Sequence, residues 1–294
     1  MQQNVLKGYL LALIGVCVLS PDALLIRLAG DDPWLIAAWR GILTGIMILI
    51  YNQWLDRRSL KEQKGSAGSR YYVNMVLFAF SSFFFTYAIS NANVTDVLVI
   101  IAFTPLLSAL LSAFFLHEQV LLRTWVATLV CGIGLAILFS QAGGESQPLG
   151  LLSAAGCAIL LAAQFVIMRS CPDANLSSSM AFGGLLGGIV CMLVSGFVIL
   201  PAPQMLAVLA IGLIVSPISF VLFVYSLRYI TAAETGLIML LESVLGSLLV
   251  WLFLSEHPSL PTTLAGLLIL STLGIYSFLT LRDIKQAKLE GITT

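Results

Sequence analysis

Residues Tyr87 to Glu118, YAISNANVTDVLVIIAFTPLLSALLSAFFLHE, lie over Tyr225 to Glu256, YSLRYITAAETGLIMLLESVLGSLLVWLFLSE, without a gap. Tyr87 falls on Tyr225, Asp96 on Glu234, Ser108 on Gly246 and Glu118 on Glu256, so aromatic, acidic and small positions coincide. Elsewhere Gly8–Arg27 lies over Gly150–Arg169, and the Gly41/Gly45 pair over Gly184/Gly188. The chain is an internal duplication.

Outward from these stretches, polar and Pro/Gly breaks divide the chain into ten apolar segments. They lie near 8–28, 33–54, 71–90, 94–116, 123–140, 149–169, 176–200, 205–227, 231–254 and 261–281. Each approaches the about 20 residues that a membrane-spanning helix needs. Five spans fall in each copy, residues 1–145 and 146–294, and an odd number turns the second copy upside down. The expected fold is an all-α polytopic membrane protein of ten transmembrane helices in two inverted five-helix repeats. That arrangement points to alternating-access transport with a site between the repeats.

Composition agrees. Of 294 residues 59% are hydrophobic and only 10% charged, with a mean hydropathy of +1.02, whereas in soluble domains about a quarter of residues are charged. The formal charge is zero, and the 14 basic residues are too scattered to bind nucleic acid. Cys17, Cys131, Cys157, Cys171 and Cys191 show no metal-ligand spacing and read as small core residues. The first span carries Asp22 and Arg27 and aligns with a later span, so it reads as retained rather than as a signal peptide. Placing the N-terminus inside puts Lys7, Arg57, Arg58, Lys61, Lys64, Arg70, Arg123, Arg169, Arg228, Arg282, Lys285 and Lys288 at cytoplasmic ends, opposite Asp31, Asp32 and Glu145. Both termini are therefore expected in the cytoplasm.

Some motifs carry a family likeness. Phe115-Leu-His-Glu118 precedes Trp125 and Gly134, and Phe253-Leu-Ser-Glu256 precedes Gly266 and Gly274. Trp39-Arg40 opens the second span, and Leu241-Glu242-Ser243 lies in the ninth. With the inverted repeat, these resemble the ten-helix EamA-type branch of the drug/metabolite transporter superfamily. The resemblance implies a secondary transporter of the bacterial inner membrane, needing no cofactor, with a small-molecule substrate and the lipid bilayer as partners. It also implies a central cavity ringed by the first four helices of each repeat, the fifth and tenth lying outside. Export of a small polar or amphipathic metabolite, such as an amino acid, is the leading expectation, and an uptake permease the alternative. An intramembrane enzyme finds no support: HExxH, GxSxG and paired intramembrane aspartates are lacking.

Charges deep in a bilayer cost about 2.5–3.5 kcal/mol each, which marks a pathway or an internal partner. Asp22 and Arg40 both lie about 9–10 Å from the outer ends of adjoining spans, at 1.5 Å per residue. They are expected to pair, as a structural link or as part of an outer gate or carboxylate site. Glu242 lies about 16 Å into the ninth span with no deep basic residue left to neutralise it, and is expected to bind or exchange a proton or a cationic group. Thr104 is its mirror position, so the Thr104/Ser108/Ser112 stripe is expected to face the same space. Ser81 and its mirror Ser219, Gln164 on the sixth span and the aromatics Trp39, Tyr87 and Tyr225 complete the candidate set, and Phe85 and Phe223 are further aromatic-wall candidates. Asp96, Glu234, Glu118 and Glu256 read as capping or solvated acids and His117 and His257 as interfacial residues. Pro21, Pro105 and Pro217 should free the carbonyls of Cys17, Ile101 and Leu213. The GxxxG pairs imply close helix packing, with a homodimer contact as their alternative use.

Overall fold

A computed structural model describes residues 2–55, 60–116, 122–140, 147–171, 176–226, 229, 232–254 and 260–289. The expectations for Arg57, Arg58, His117, Glu118, Glu145, Arg228, Glu256 and His257 lie outside the described residues. The same holds for the side chains of Lys61, Arg123, Arg169, Glu234, Lys285 and Lys288. In chain order the helices are α1 (Gln2–Leu19), α2 (Asp22–Leu28), α3 (Pro33–Leu55), α4 (Leu60–Ala67), α5 (Ser69–Asn91), α6 (Val94–Ile101) and α7 (Thr104–Leu116). They continue as α8 (Leu122–Ser140), α9 (Pro148–Arg169), α10 (Ser177–Ser195), α11 (Ala202–Ala210), α12 (Ser216–Ser226), α13 (Ala232–Leu254) and α14 (Leu260–Leu289). Among the described residues, seven segments are long and apolar enough to cross a membrane, and shorter apolar stretches fall within α8, α13 and α14.

The inverted repeat is visible in which helices touch. The most extensive contact joins α3 to α10, the second span of each repeat. The fourth spans meet through α6 and α13, and the fifth through α8 and α14. The contact of α1 with α12, first span on third, has its image in α9 on α5.

At the α3–α10 crossing the glycines let the two backbones touch. A Cβ on Gly45 would lie 2.6 Å from the Ala181 carbonyl oxygen, and one on Gly188 2.7 Å from the Ile42 nitrogen. Gly183 brings α10 equally close to α5, where a Cβ would overlap the Met75 carbonyl. The GxxxG motifs thus serve packing inside the bundle. Apolar residues left on the outside, such as the Ile46, Ile50 and Trp54 stripe of α3, suit contact with lipid.

One span boundary needs correction, and one connection holds a helix. The seventh span ends at Ser195 rather than near 200, because Gly196 takes φ +78° and turns the chain out of the helix. The charged loop before the third span contains α4. Its LKEQKGSA sequence begins with helix formers, Glu62 sits in its first turn and Lys64 in its last, and the buried Gln63 side chain docks on Asn52 at 3.1 Å.

The prolines interrupt spans where expected. The first span breaks at Ser20–Pro21, between α1 and α2, and the fourth at Ala102–Phe103, between α6 and α7. There the Thr104 hydroxyl donates to the Ile101 carbonyl at 2.6 Å, filling the place of the N–H that Pro105 lacks. Ahead of Pro217 the helix widens into one π-turn, Ile211–Val215, and the Tyr51 hydroxyl reaches the Leu213 carbonyl at 3.5 Å.

Candidate functional site

A cavity of about 90 Å³ lies at the centre of the bundle, with room for about three waters. Among the described residues its walls come from the first four spans of both repeats, and none comes from α8 or α14. One face of α5 supplies Phe78, Ser81, Ser82 and Phe85, spaced i, i+3, i+4, i+7. A face of α9 supplies Cys157, Leu161, Gln164, Phe165 and Met168, and α12 supplies Phe220, Phe223 and Val224. Asp22, Arg40, Met180, Met239 and Glu242 also line it.

Its polar groups form three units. Arg40 Nη2 donates to Asp22 Oδ2 at 2.6 Å, with the two side chains only 4% and 2% exposed. Around the pair, Arg40 Nη1 donates to Ser82 Oγ at 3.0 Å, the guanidinium lies 5.4 Å from the centre of the Phe85 ring, and Ser216 Oγ approaches Asp22 Oδ1 at 3.4 Å. Asp22 also occupies the first turn of α2, where its charge complements the helix dipole. The second unit is Gln164, whose Nε2 donates to Ser81 Oγ at 2.8 Å, while Ser81 in turn donates to the Phe78 carbonyl. The third is Glu242. It lies within electrostatic reach of Asp22 and Arg40, yet among the described residues no hydrogen bond or ion pair engages its carboxyl.

Glu242 also lines a second, smaller cavity of about 20 Å³ with Thr104, Pro105 and Ser243, at the break between α6 and α7. Ser243 Oγ donates to the Leu98 carbonyl at 2.9 Å, tying α13 to that break. Gly246, one turn on, lets the two helices close up, since a Cβ there would meet Leu98 Cδ1 at 2.8 Å.

The other sequence candidates lie elsewhere. Ser108 donates to the Pro105 carbonyl at 2.7 Å, and Ser219 to the Val215 carbonyl at 2.6 Å, both away from the cavity walls. Trp39 Nε1 donates to the Val198 carbonyl at 3.2 Å, linking α3 to the segment beyond α10. Tyr87 packs on Phe83, with ring centres 5.8 Å apart, and Tyr225 packs beside Ile48 and Val221. Asp96 sits in the first turn of α6, which Asn93 caps by accepting from Thr95 N at 3.0 Å. Sequence reasoning missed Ser82, Phe78, Phe165, Phe220 and the three methionines. The helical spacing of polar and aromatic residues on α5 and α9 was the available signal.

The two ends of the cavity differ. Toward Gly30, Ile26, Ile36, Ile89, Val97 and Leu151 belong to a large apolar cluster that also extends to α8 and α14. Arg27 clamps it by donating to the Ala92 carbonyl at 3.0 Å and more weakly to that of Ser90 at 3.4 Å, beside the C-terminus of α5. At the Ser177 end, three consecutive buried serines open α10. Ser177 donates to Asn52 Oδ1 at 3.0 Å, Ser178 accepts from the Tyr71 hydroxyl at 3.2 Å, and Ser179 accepts from Asn74 Nδ2 at 2.7 Å. Met180, next in line, is a cavity wall.

Comparison with known proteins gives three findings. The profile of the EamA-like transporter family matches the chain twice, over residues 6–140 and 148–279. An S-adenosylmethionine uptake transporter of Rickettsia bellii (strain RML369-C) is 29% identical over 116 residues, which span 38% of this chain and only 38% of that relative's length. A solved structure described as "Crystal structure of protein" superposes with a TM-score of 0.65 at 21% identity, covering 94% of this chain and 98% of that one. The last shows the fold alone.

Proposed function

Because the chain belongs to the EamA-like transporter family, we propose that it carries a small amino-acid-related metabolite across the bacterial inner membrane by alternating access, coupled to a proton at Glu242. The observation behind this reading is the position of Glu242. It stands on the wall of a cavity built from both repeats, its carboxyl bonded to none of the described residues. A carboxyl in that position can hold a proton or a cationic group, but not both, and that exclusivity couples the two. The charged groups facing it are Asp22 of α2 and Arg40 of α3, with the Cys157 thiol of α9 nearby.

In this cycle the Gly30 end faces the outside and the Ser177 end the cytoplasm, both termini being cytoplasmic. The two repeats rock about the α3–α10 glycine crossing, and the breaks at Pro21, Pro105 and Pro217 allow spans to bend next to the cavity. Export is the direction we propose. The name of the Rickettsia relative, an uptake transporter, favours a second reading, inward transport, and puts S-adenosylmethionine on the panel of substrates.

The test is reconstitution in liposomes, with labelled amino acids and S-adenosylmethionine supplied under an imposed pH gradient. The gradient should accelerate flux of at least one substrate. Glu242→Gln, which keeps shape and hydrogen bonding but cannot release a proton, should remove that acceleration and the pH dependence of binding. Wild-type flux with unchanged pH dependence in Glu242→Gln would overturn the coupling role.

A further inference from the structure

We infer that the cavity selects organic cations with an apolar or aromatic body and disfavours molecules whose carboxylate needs a counter-charge from the protein. This rests on the transporter reading and narrows its substrate class. Among the described lining residues the fixed charges are those of Asp22, Arg40 and Glu242. The charge of Arg40 is already neutralised. Its Nη2 donates to Asp22 and its Nη1 to Ser82, the Phe85 ring lies against the guanidinium, and its Nε is buried without a hydrogen-bond partner.

Two acceptors remain in the cavity for a cation. Gln164 gives one N–H to Ser81 and keeps its carbonyl oxygen, and Glu242 offers a carboxylate. A ligand ammonium or alkylated cation can meet both of them. The walls favour the same class, because Phe78, Phe220 and Phe223 line a mostly apolar space, where a cation gains from the ring quadrupole. A ligand carboxylate would meet Glu242 with no free basic partner, unless it displaced Asp22 from Arg40. An unpaired charge in such a place is strongly disfavoured. The narrowed class is therefore amino-acid-related compounds whose carboxylate is masked or outweighed by cationic centres.

Binding to the purified full chain in detergent at pH 7 tests this with four probes on one aromatic body: phenethylamine, phenylalanine, phenylacetate and 2-phenylethanol. Phenethylamine should bind at least about tenfold tighter than phenylalanine or phenylacetate, the loss expected when one charge pair is removed or opposed. Glu242→Gln should weaken phenethylamine by about tenfold and leave 2-phenylethanol within about twofold, while Glu242→Asp keeps the order of the four. Equal affinity for phenylalanine or phenylacetate, unchanged phenethylamine binding in Glu242→Gln, or no phenethylamine binding each overturns the inference. Should Glu242→Gln not fold, the order of the four probes on the native chain decides alone. Driven flux in liposomes without cation preference would sink the class and leave the transporter standing. Cation-selective binding without driven flux would do the reverse.

Discussion

Removing the charges of Asp22 and Arg40 together should harm this protein much less than the two single removals combined. In Asp22→Asn the amide can still accept from Arg40 Nη2, so the loss is that of the counter-ion. Arg40, 4% exposed, would then keep its full charge with Ser82 and the Phe85 ring in contact and the Glu242 carboxyl only at longer range. Stranding one member of a buried pair costs about 3–5 kcal/mol, and the retained amide sets the expected value at the lower end, about 3. Arg40→Gln should cost about as much, because Asp22 would be left with Ser216 at 3.4 Å and the α2 dipole. In the double variant no charge is stranded. Its loss should be about 3–4 kcal/mol rather than the roughly 6 of the two singles combined, a coupling of about 2–3 kcal/mol. Thermal unfolding of the purified variants reads this directly, at about 2–4 °C per kcal/mol. The reasoning fails if the double loss equals the combined single losses within about 0.5 kcal/mol.

Other outcomes follow from the same geometry. Gly45→Leu or Gly188→Val should abolish folded expression, because each side chain must displace backbone of the facing helix, whereas Gly132→Ala and Gly274→Ala, with nothing within 4 Å of a Cβ, should be neutral or stabilising by up to about 1 kcal/mol in the same melts. Thr104→Val should cost about 1–3 kcal/mol by leaving the Ile101 carbonyl without its donor, and Thr104→Ser should cost much less. Reporter fusions at both termini should register as cytoplasmic and those after Asp31 as external; an external C-terminus would remove the proposed orientation.

The fold was legible because duplication and hydropathy act over long windows. Matched glycines at 41/45 and 184/188 marked spans that pack closely, though not which helix each meets, and the prolines located the breaks. The cavity walls were legible first through charge, although the uncharged candidates Ser81, Gln164, Phe85 and Phe223 line it too. Asp22, Arg40 and Glu242 stand out because a charged group is rare in an apolar span, and all three line the cavity. Tyr87, Tyr225, Trp39, Ser108 and Ser219 were chosen by residue type, and type does not say which way a helix face turns. Ser219 shows why mirror arguments fail at this level. Its image Ser81 bonds Gln164 across the cavity, while Ser219 bonds its own helix, and the serine that reaches Asp22 is Ser216, about one turn away. Nothing in the sequence marks that one-turn slip.

The duplication aligns Asp22 with Gln164, and both do the same work: each sits on the first span of its repeat and meets a serine of the third span of the other. Backbone architecture is thus shared by the two copies, but charge is not, since Glu242 aligns with uncharged Thr104 and no basic residue of the second repeat lines the cavity among those described. This division has an energetic consequence for the proposed cycle. If the copies were identical, exchanging their conformations would leave the energy unchanged, and the inward- and outward-facing states would be equally populated. Only residues that differ between the copies can bias the balance, and about 1.4 kcal/mol shifts it tenfold. An ionised carboxyl in a low-dielectric cavity interacts with its surroundings on that scale or above it. In the proposed cycle, a change in the ionisation state of Glu242 would therefore be large enough to bias which way the two halves rest.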